Sequence, residues 1–218
     1  AEWVILKVLE IYKQTQHFAA AQRRSEWNKN VDILELNGKT MGIIGTGSIG
    51  VEVAKRANAF GCKVIGLNTR GRNVAFFNTC WPRTQLHDFL PQCDIVVLTL
   101  PFTEQVKDLL NRGTLPLMKE GAVLINIARG GIINEADLLD ILSSGSLRGV
   151  ALDVFEEEPL PSDNPLWQHE RVLVTPHISF ASEQIAQRMH ALVYANLKAL
   201  QGLQEWENVV EICREIRE

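Results

Sequence analysis

The stretch TMGIIGTGSIG, residues 40–50, limits the possible folds of this chain more than any other. A short apolar run leads directly into Gly45, Gly47 and Gly50, and a helical pattern follows that ends at Gly61. Gly45 permits a tight turn, Gly47 lets the backbone approach a pyrophosphate, and Gly50 lets the helix pack on the strand. The lysine followed by serine or threonine that a P-loop needs is absent. The stretch therefore predicts a dinucleotide-binding turn; the alternative is a tight strand–helix turn without a ligand.

Strand-like and helical patterns alternate along most of the chain. The strand-like apolar runs lie at residues 40–45, 63–67, 94–100, 122–127, 149–154 and 171–175, and helical patterns lie at 48–61, 103–111 and 134–145. Continuous apolar runs are typical of parallel strands that are covered on both faces. The pattern predicts an α/β fold, a Rossmann-type doubly wound parallel sheet. Two more helices are predicted, over residues 1–22 and from Ser182, as N-cap, to about Leu203.

Composition narrows the classes of partner and site. The 218 residues are 46% hydrophobic and carry a formal net charge of −4 without a basic tract, which argues against nucleic acid or an anionic membrane as partner. The apolar start of the chain is interrupted by charges, so we interpret it as an amphipathic helix and not as a signal peptide or a membrane span. The four cysteines, Cys62, Cys80, Cys93 and Cys213, show no metal-binding spacing. These features predict a cytoplasmic protein with reduced thiols and no metal.

Three polar residues stand out in the second half of the chain. Arg129 and His177 follow apolar runs directly, and Glu158 lies in the loop after another such run. Each alone fits a solvated charge or a satisfied histidine. Ligands of open α/β sheets bind at the carboxyl ends of the strands, and all three residues lie downstream of a dinucleotide turn. Together they predict an active site.

Five stretches carry a resemblance to a known family. They are LNGKTMGIIGTGSIG, CDIVVLTLPFTEQVKDLLN, LINIARGGIINEADLLDIL, GVALDVFEEEPLP and VTPHIS. In this order they resemble the D-isomer-specific 2-hydroxyacid dehydrogenases. The resemblance implies that Arg129, Glu158 and His177 are the catalytic arginine, glutamate and histidine, with Glu158 identified as the glutamate before Pro159. Glu156 and Glu157 are then bystanders.

The implied reaction needs these residue types. Reduction of a 2-keto acid requires a hydride, which a nicotinamide cofactor supplies, and a proton. The forked donors of Arg129 suit the carboxylate and carbonyl oxygens of a small 2-keto or 2-hydroxy acid. His177 is the expected proton donor, and Glu158 is expected to orient its ring and favour its charged form.

The resemblance also implies a set of cofactor contacts. Ser48 and Ile49 would offer backbone N–H groups to the pyrophosphate, beside Gly45 and Gly47. The other implied residues are Leu100 and Pro101 at the adenosine, Ile127 and Ala128 at the nicotinamide, and Asp153 at the carboxamide. The alternative for the apolar members is ordinary strand core.

The stretch GLNTRGRN, residues 66–73, lies where an acidic residue usually binds the adenosine ribose. Asn68 removes the charge that would repel a 2′-phosphate, Thr69 adds a hydroxyl, and Arg70 or Arg72 can pair with a phosphate. We therefore expect NADP(H) to be preferred, with NAD(H) possible. The alternative is a set of solvated loop charges.

The resemblance also bears on domain organisation. We expect residues 1–180 to form the NAD(P)-binding domain, with 1–22 as its first helix, and residues 181–218 to return to a discontinuous substrate domain. The N-terminal part of that domain is then absent from this chain, through truncation or because the chain is part of a longer protein. Exposed apolar surface and the resemblance favour a homodimer.

Several functions remain open from the sequence. The first is an NAD(P)-dependent dehydrogenase for glyoxylate, hydroxypyruvate or 3-phosphoglycerate. The second is a non-catalytic, dinucleotide-sensing protein that resembles the corepressors of this fold, and the third is an inactive cofactor-binding fragment. A formate dehydrogenase of the same superfamily would have glutamine where this chain has Glu158.

Overall fold

The computed structural model describes residues 1–209, and its centre is one seven-stranded sheet. The strands are β1 Thr40–Ile44, β2 Lys63–Asn68, β3 Thr79–Pro82, β4 Ile95–Leu98, β5 Ala122–Asn126, β6 Leu147–Leu152 and β7 Val172–Val174. They lie in the order β3-β2-β1-β4-β5-β6-β7, and every neighbouring pair is parallel. The predicted Rossmann-type parallel α/β sheet is confirmed.

Helices cover both faces of this sheet. The helices within Ala1–Ser179 are α1 Glu2–Tyr12, α2 Thr15–Arg23, α3 Ser48–Ala59, α4 Leu86–Phe89 and α5 Glu135–Ser144, and the helix of the later part of the chain is α6 Ile185–Leu200. Side chains along a strand point alternately to the two faces. In β5, Val123 and Ile125 join the core under α1 and α3, while Leu124 joins the core under α4 and α5. This double burial explains the continuous apolar runs of the sequence.

The chain divides into two compact units, Ala1–Ser179 and Phe180–Glu218. The first contains the whole sheet, and the described part of the second contains α6. Cys213 and the end of the charged tail lie outside the described residues. Among residues 1–209, no helix is both long and apolar enough to span a membrane.

The prediction of one continuous helix over residues 1–22 is wrong. It is divided into α1 and α2 at Gln14, whose φ of 53° is left-handed. The carbonyl of Tyr12 accepts a hydrogen bond from the N–H of Leu34, at 3.0 Å, and Lys13 Nζ donates to the Leu34 carbonyl at 2.8 Å. These contacts with a distant segment replace the local bonds that would continue the helix.

The predicted helix over residues 103–111 is also wrong. Only Glu104–Val106 form a short 3₁₀ turn. Leu110 forms a parallel bridge with Ile133: its N–H donates to the Ile132 carbonyl at 3.1 Å, and its carbonyl accepts from Asn134 N at 2.9 Å. These long-range bonds occupy the backbone groups that a helix would use.

Two more differences concern elements that were missed or displaced. Strand β3 was not predicted, since it is short and ends in Pro82; proline is tolerated because β3 is an edge strand. The last helix begins at Ile185 and not at Ser182. The Ser182 hydroxyl accepts a hydrogen bond from Gln184 N at 3.2 Å, which forms a turn before the helix.

Candidate active site

The predicted site residues follow strands whose carboxyl ends form one edge of the sheet. The glycine turn follows β1, Asn68 ends β2, and Leu100 and Pro101 follow β4. Arg129, Glu158 and His177 follow the adjacent strands β5, β6 and β7. Because all strands are parallel, their carboxyl ends lie together, and this is where ligands of such sheets bind. The cofactor candidates and the catalytic candidates therefore share one edge.

The glycine turn is too crowded for side chains at two of its three glycines. A Cβ on Gly45, whose φ is +101°, would lie 2.7 Å from Leu100 N, and one on Gly50 would lie 2.2 Å from the Gly45 carbonyl oxygen. A Cβ on Gly47 would meet no atom of the described residues, 1–209, within 4 Å. Packing within the protein thus explains Gly45 and Gly50 but not Gly47. The space beside Gly47 suits a ligand that approaches the backbone.

The start of α3 provides donors for that ligand. The N–H groups of Ser48, Ile49 and Gly50 find no acceptor among residues 1–209, and the helix has no side-chain cap. Both Ser48 and Ile49 are exposed. Free N–H groups and the positive end of a helix dipole attract phosphate. The turn therefore fits the pyrophosphate of a dinucleotide.

The loop after β2 presents two cations. Asn68 is half-buried, and its side chain hydrogen-bonds to Thr46 and to the backbone of Arg70 and Arg72. Thr69, Arg70 and Arg72 are exposed. Neither guanidinium makes an ion pair or a hydrogen bond with another side chain of residues 1–209. The loop can thus offer positive charge to an anion.

The apolar cofactor candidates lie at the ends of β4 and β5. The backbone of Leu100 packs against Gly45, and Pro101 is exposed. Ile127 is half-buried, and Ala128 is buried with its N–H donating to the Asn126 side chain at 3.0 Å. Their contact with a cofactor stays a prediction.

His177 and Glu158 form a close pair. His177 Nδ1 lies 2.7 Å from Glu158 Oε2, and Phe155 N donates to Glu158 Oε1 at 3.0 Å. Partial burial acts to raise the pKa of Glu158, but the hydrogen bonds from His177 and Phe155 and the positive charges of His177 and Arg129 lower it overall. Glu158 is therefore a carboxylate at neutral pH, and Nδ1 is the donor in this hydrogen bond. The predicted pairing of these two residues is present in the structure.

Arg129 lies close to this pair. It is exposed, its NH1 donates to the Ala128 carbonyl at 2.6 Å, and its charge contributes to the lowered pKa of Glu158. The next residue, Gly130, is pressed against the loop that carries Glu158: a Cβ there would lie 1.8 Å from the carbonyl carbon of Phe155. Glycine is therefore required for the two loops to approach this closely.

Asp153 organises the loop that carries His177. It is fully buried, and its carboxylate accepts hydrogen bonds from Thr175 Oγ1 at 2.6 Å, Ile178 N at 2.9 Å and Ser179 N at 2.8 Å. Its carbonyl accepts from His177 N at 2.8 Å. The predicted contact with a carboxamide stays a prediction; the contacts within the chain assign Asp153 to holding the histidine in place.

Two residues of the site were missed by the sequence reasoning. Asn126 is buried, and its side chain donates to the Arg129 carbonyl at 2.9 Å and accepts from Ala128 N. Glu135 accepts from Glu156 N at 2.7 Å, while Glu156 accepts from Glu135 N at 2.8 Å. Glu156 thus has a structural role, because it joins the Glu158 loop to the start of α5; that it takes no part in catalysis stays a prediction. A polar residue at the end of an apolar strand was the available signal for Asn126.

No group of three or more histidine, cysteine, aspartate or glutamate residues within 1–209 is placed to hold a metal ion.

Comparison with known proteins identifies the same fold and a family. The family profile described as "D-isomer specific 2-hydroxyacid dehydrogenase, NAD binding domain" matches residues 5–179. The D-3-phosphoglycerate dehydrogenase of Methanocaldococcus jannaschii is 35% identical over 97% of this chain and 41% of that protein. The glyoxylate reductase of Thermofilum pendens is 36% identical over 92% of this chain and 61% of that protein. The chain thus spans about half the length of these two relatives.

A solved structure is similar as well. It is the NADPH-dependent glyoxylate/hydroxypyruvate reductase of Sinorhizobium meliloti in complex with NADP and sulfate. It superposes with a TM-score of 0.85 at 32% identity, over 96% of this chain and 67% of that chain.

Replacing Glu158 by glutamine tests the histidine–glutamate pair through stability. The lowered pKa means that ionised Glu158 stabilises the fold above about pH 4.5, its ordinary pKa, and that this contribution disappears as the pH falls through the lowered value. We expect wild type to exceed Glu158→Gln in free energy of unfolding at pH 6, by less than about 1 kcal/mol because both side chains are over a third exposed. The difference should shrink as the pH falls below about 4.5 and disappear once Glu158 is protonated in the folded state.

Urea unfolding at several pH values measures this difference. Glu157→Gln is the control, because it removes one charge from the same loop but none of the hydrogen bonds within residues 1–209. Equal losses in the two variants at pH 6 would contradict a specific contribution of the pair.

Proposed function

The chain belongs to the D-isomer-specific 2-hydroxyacid dehydrogenase family, and from this membership we propose that it forms the cofactor-binding part of an oxidoreductase. The enzyme transfers a hydride between NAD(P)H and a 2-keto acid or D-2-hydroxy acid. The observation that carries the proposal is the 2.7 Å contact between His177 and Glu158 beside Arg129, at the edge that also holds the glycine turn. NAD(P)-linked oxidoreduction is the function of the family; the substrate and the preferred cofactor are our proposals.

Arg129 binds the substrate in this scheme. Its guanidinium presents parallel donors that match the carboxylate and the adjacent carbonyl oxygen of a 2-keto acid. The bonds of its carbonyl to Asn126 and of its NH1 to the Ala128 carbonyl hold the residue at the end of β5. A bound nicotinamide cofactor supplies the hydride for reduction.

His177 moves the proton. Glu158 holds Nδ1, so the ring exchanges its proton at Nε2, the other nitrogen. In reduction, protonated His177 donates to the substrate oxygen as negative charge develops there; in oxidation, the neutral ring accepts the hydroxyl proton. The Glu158 carboxylate stabilises the charged imidazolium in both directions. The pair is thus a general acid–base device that one side chain alone would not provide.

The substrate class that we propose is small 2-keto and 2-hydroxy acids. Glyoxylate, hydroxypyruvate and 3-phosphoglycerate are the candidates, since relatives are named for reactions of these three compounds. A dinucleotide-sensing role without catalysis is supported by no contact among the described residues. Glu158 in place of a glutamine argues against formate dehydrogenase.

Residues 1–180 are proposed to be the cofactor domain and residues 181–218 the return to the substrate domain. Support comes from α6, where Met189, Val193, Leu197 and Leu200 form an exposed apolar stripe at helical spacing. We propose that parts of the full-length protein outside this chain cover this stripe and complete the substrate cleft. Turnover is therefore a property to be measured on the full-length protein.

Substitution of His177 by alanine tests the catalytic assignment. Loss of the proton carrier should lower kcat by about 10²–10⁴-fold while the Kd of the cofactor changes less than about twofold. Steady-state assays with glyoxylate and hydroxypyruvate, together with a cofactor titration, measure both quantities. Exposed His87 on α4 provides the control, and His87→Ala should retain wild-type kcat.

The substitution Arg129→Lys keeps the positive charge but loses the parallel N–H donors of the guanidinium, so kcat/KM should fall about tenfold or more. Full activity of either His177→Ala or Arg129→Lys would remove the assigned role of that residue.

NADP(H) is the proposed cofactor in preference to NAD(H). In support, the position at the end of β2 holds Asn68 and no acid, and neither Arg70 nor Arg72 pairs with a carboxylate of residues 1–209. Three similar structures also contain NADP or NADPH.

Fluorescence titration with NADPH and NADH should give a Kd at least about tenfold lower for NADPH. Added salt should reduce this ratio of Kd values, because it screens the charge of the 2′-phosphate. Gly47→Ala is the control. The added Cβ meets no atom of the part of the chain that the structure describes within 4 Å, so the fold should be kept while the affinity for both cofactors falls alike. Tighter binding of NADH by wild type would refute the preference.

We also place the protein in the cytoplasm as a homodimer that acts on small molecules and has no nucleic-acid or membrane partner. The buried free thiols of Cys62, Cys80 and Cys93 fit a reducing compartment. Exposed Trp27, at 89%, and Ile33, at 46%, lie in the irregular segment that follows α2 and offer apolar contact area.

Sedimentation of the full-length protein at micromolar concentration should give the mass of two chains. Trp27→Ala should shift the equilibrium toward the monomer, because it removes the most exposed large apolar side chain of this segment. A single species with the mass of one chain would contradict the dimer.

A further inference from the structure

The side chain of Asn68 uses all of its hydrogen-bonding capacity inside the protein. Nδ2 donates to Thr46 Oγ1 at 3.1 Å and to the Arg72 carbonyl at 2.8 Å. Oδ1 accepts from Arg70 N at 3.2 Å and from Arg72 N at 3.1 Å. A carboxamide has two N–H donors and two lone pairs, so the four bonds occupy it completely.

The chemistry of the partners determines the orientation of the Asn68 amide. Backbone N–H groups of Arg70 and Arg72 only donate, so they must face Oδ1, and the Arg72 carbonyl only accepts, so it must face Nδ2. A flipped amide would lose these three bonds. The arrangement is thus specific to an asparagine in this orientation.

Asn68 connects two parts of the cofactor edge. Thr46 belongs to the glycine turn that faces the pyrophosphate, and Arg70 and Arg72 belong to the next loop. The loop is also fixed from its other side, since a Cβ on Gly71, whose φ is +68°, would lie 2.9 Å from Pro82 of β3. The backbone of the two arginines is therefore held at a set distance from the glycine turn.

The side chains of the two arginines are presented outward by this loop. Both are exposed, and neither is neutralised by a carboxylate of residues 1–209. We propose that Asn68 is a positioning residue for cofactor selection: it braces the 69–72 loop so that Arg70 and Arg72 face the 2′-phosphate of NADPH, and it does not itself bind the cofactor. The inference rests on the proposed preference for NADP(H).

The hydrogen bonds of Asn68 explain why an acidic residue at position 68 would weaken NADPH binding in two ways. An aspartate adds charge that repels the 2′-phosphate. It also lacks the N–H donors that the Arg72 carbonyl requires, so two oxygens would face each other and the loop would open. Alanine removes the brace without adding charge, which makes it the cleaner test.

The test is a double-mutant cycle on cofactor affinity. Wild type, Asn68→Ala, the pair Arg70→Ala and Arg72→Ala, and the triple variant are titrated with NADPH and with NADH. Asn68→Ala should raise the Kd of NADPH about tenfold and the Kd of NADH less than about threefold, since only the phosphate contacts depend on the loop. In the background that lacks both arginines, Asn68→Ala should have no further effect on NADPH.

Asn73→Ala is the matched control, because Asn73 is exposed in the same region and its Oδ1 accepts only from Cys80 N, at 3.0 Å. It should keep the wild-type ratio of the two Kd values. Thermal melts check folding, and Asn68→Ser replaces Asn68→Ala if that variant is unstable.

Each other outcome overturns the inference. An additive effect of Asn68→Ala in the background without the arginines would mean that Asn68 contacts the cofactor itself. An equal rise in the Kd of both cofactors would mean general damage to the glycine turn. An unchanged Kd of NADPH would mean that Asn68 does not position the 69–72 loop. If wild type itself shows no preference for NADPH, the proposed preference fails first, and the inference fails with it.

Discussion

The candidate active site depends on the close approach of two backbone segments, at Gly130 and at Phe155. A methyl group on Gly130 would lie 1.8 Å from the Phe155 carbonyl carbon, so no other residue fits without moving the backbone. Arg129 precedes this contact on one loop, and Glu158 follows it on the other. The distance between Arg129 and Glu158 is thus set by backbone packing. A shift of these loops would separate the two functions even if every side chain of the site were retained.

Much of this architecture was predictable because it follows from patterns within short windows. Continuous apolar runs indicate buried parallel strands, and parallel strands bring their carboxyl ends to one edge. Arg129, Glu158 and His177, far apart in sequence, therefore had to meet once the order of β5, β6 and β7 was correct. The spacing of the glycines predicted the tight turn after β1 for the same reason, since a side chain at Gly45 or Gly50 would clash with nearby backbone.

The errors in the sequence analysis share a different physical origin. The segment 103–111 has a helical pattern, yet Leu110 takes its backbone partners from residues 132–134. The helix over residues 1–22 is divided where Tyr12 bonds to Leu34, and Gln14 adopts a left-handed conformation. In each case a distant segment supplies hydrogen bonds that local propensity cannot anticipate, and tertiary contact overrides the local preference.

Asn68, Asn126 and Asp153 show how polar residues at strand ends hold the loops of a candidate site in place. Each ends or directly follows a strand, each is bonded to the backbone of a functional loop, and each stands near a charged group: Asn68 beside Arg70, Asn126 beside Arg129, and Asp153 beside His177. A sequence presents such residues as ligand candidates because they interrupt apolar runs at the binding edge. Their hydrogen bonds reduce the freedom of the loops, so that the backbone that carries the arginine and histidine side chains is held in position before any ligand arrives. The identity of the polar residue then matters as much as its polarity, because an amide can both donate and accept within one loop and a carboxylate can only accept.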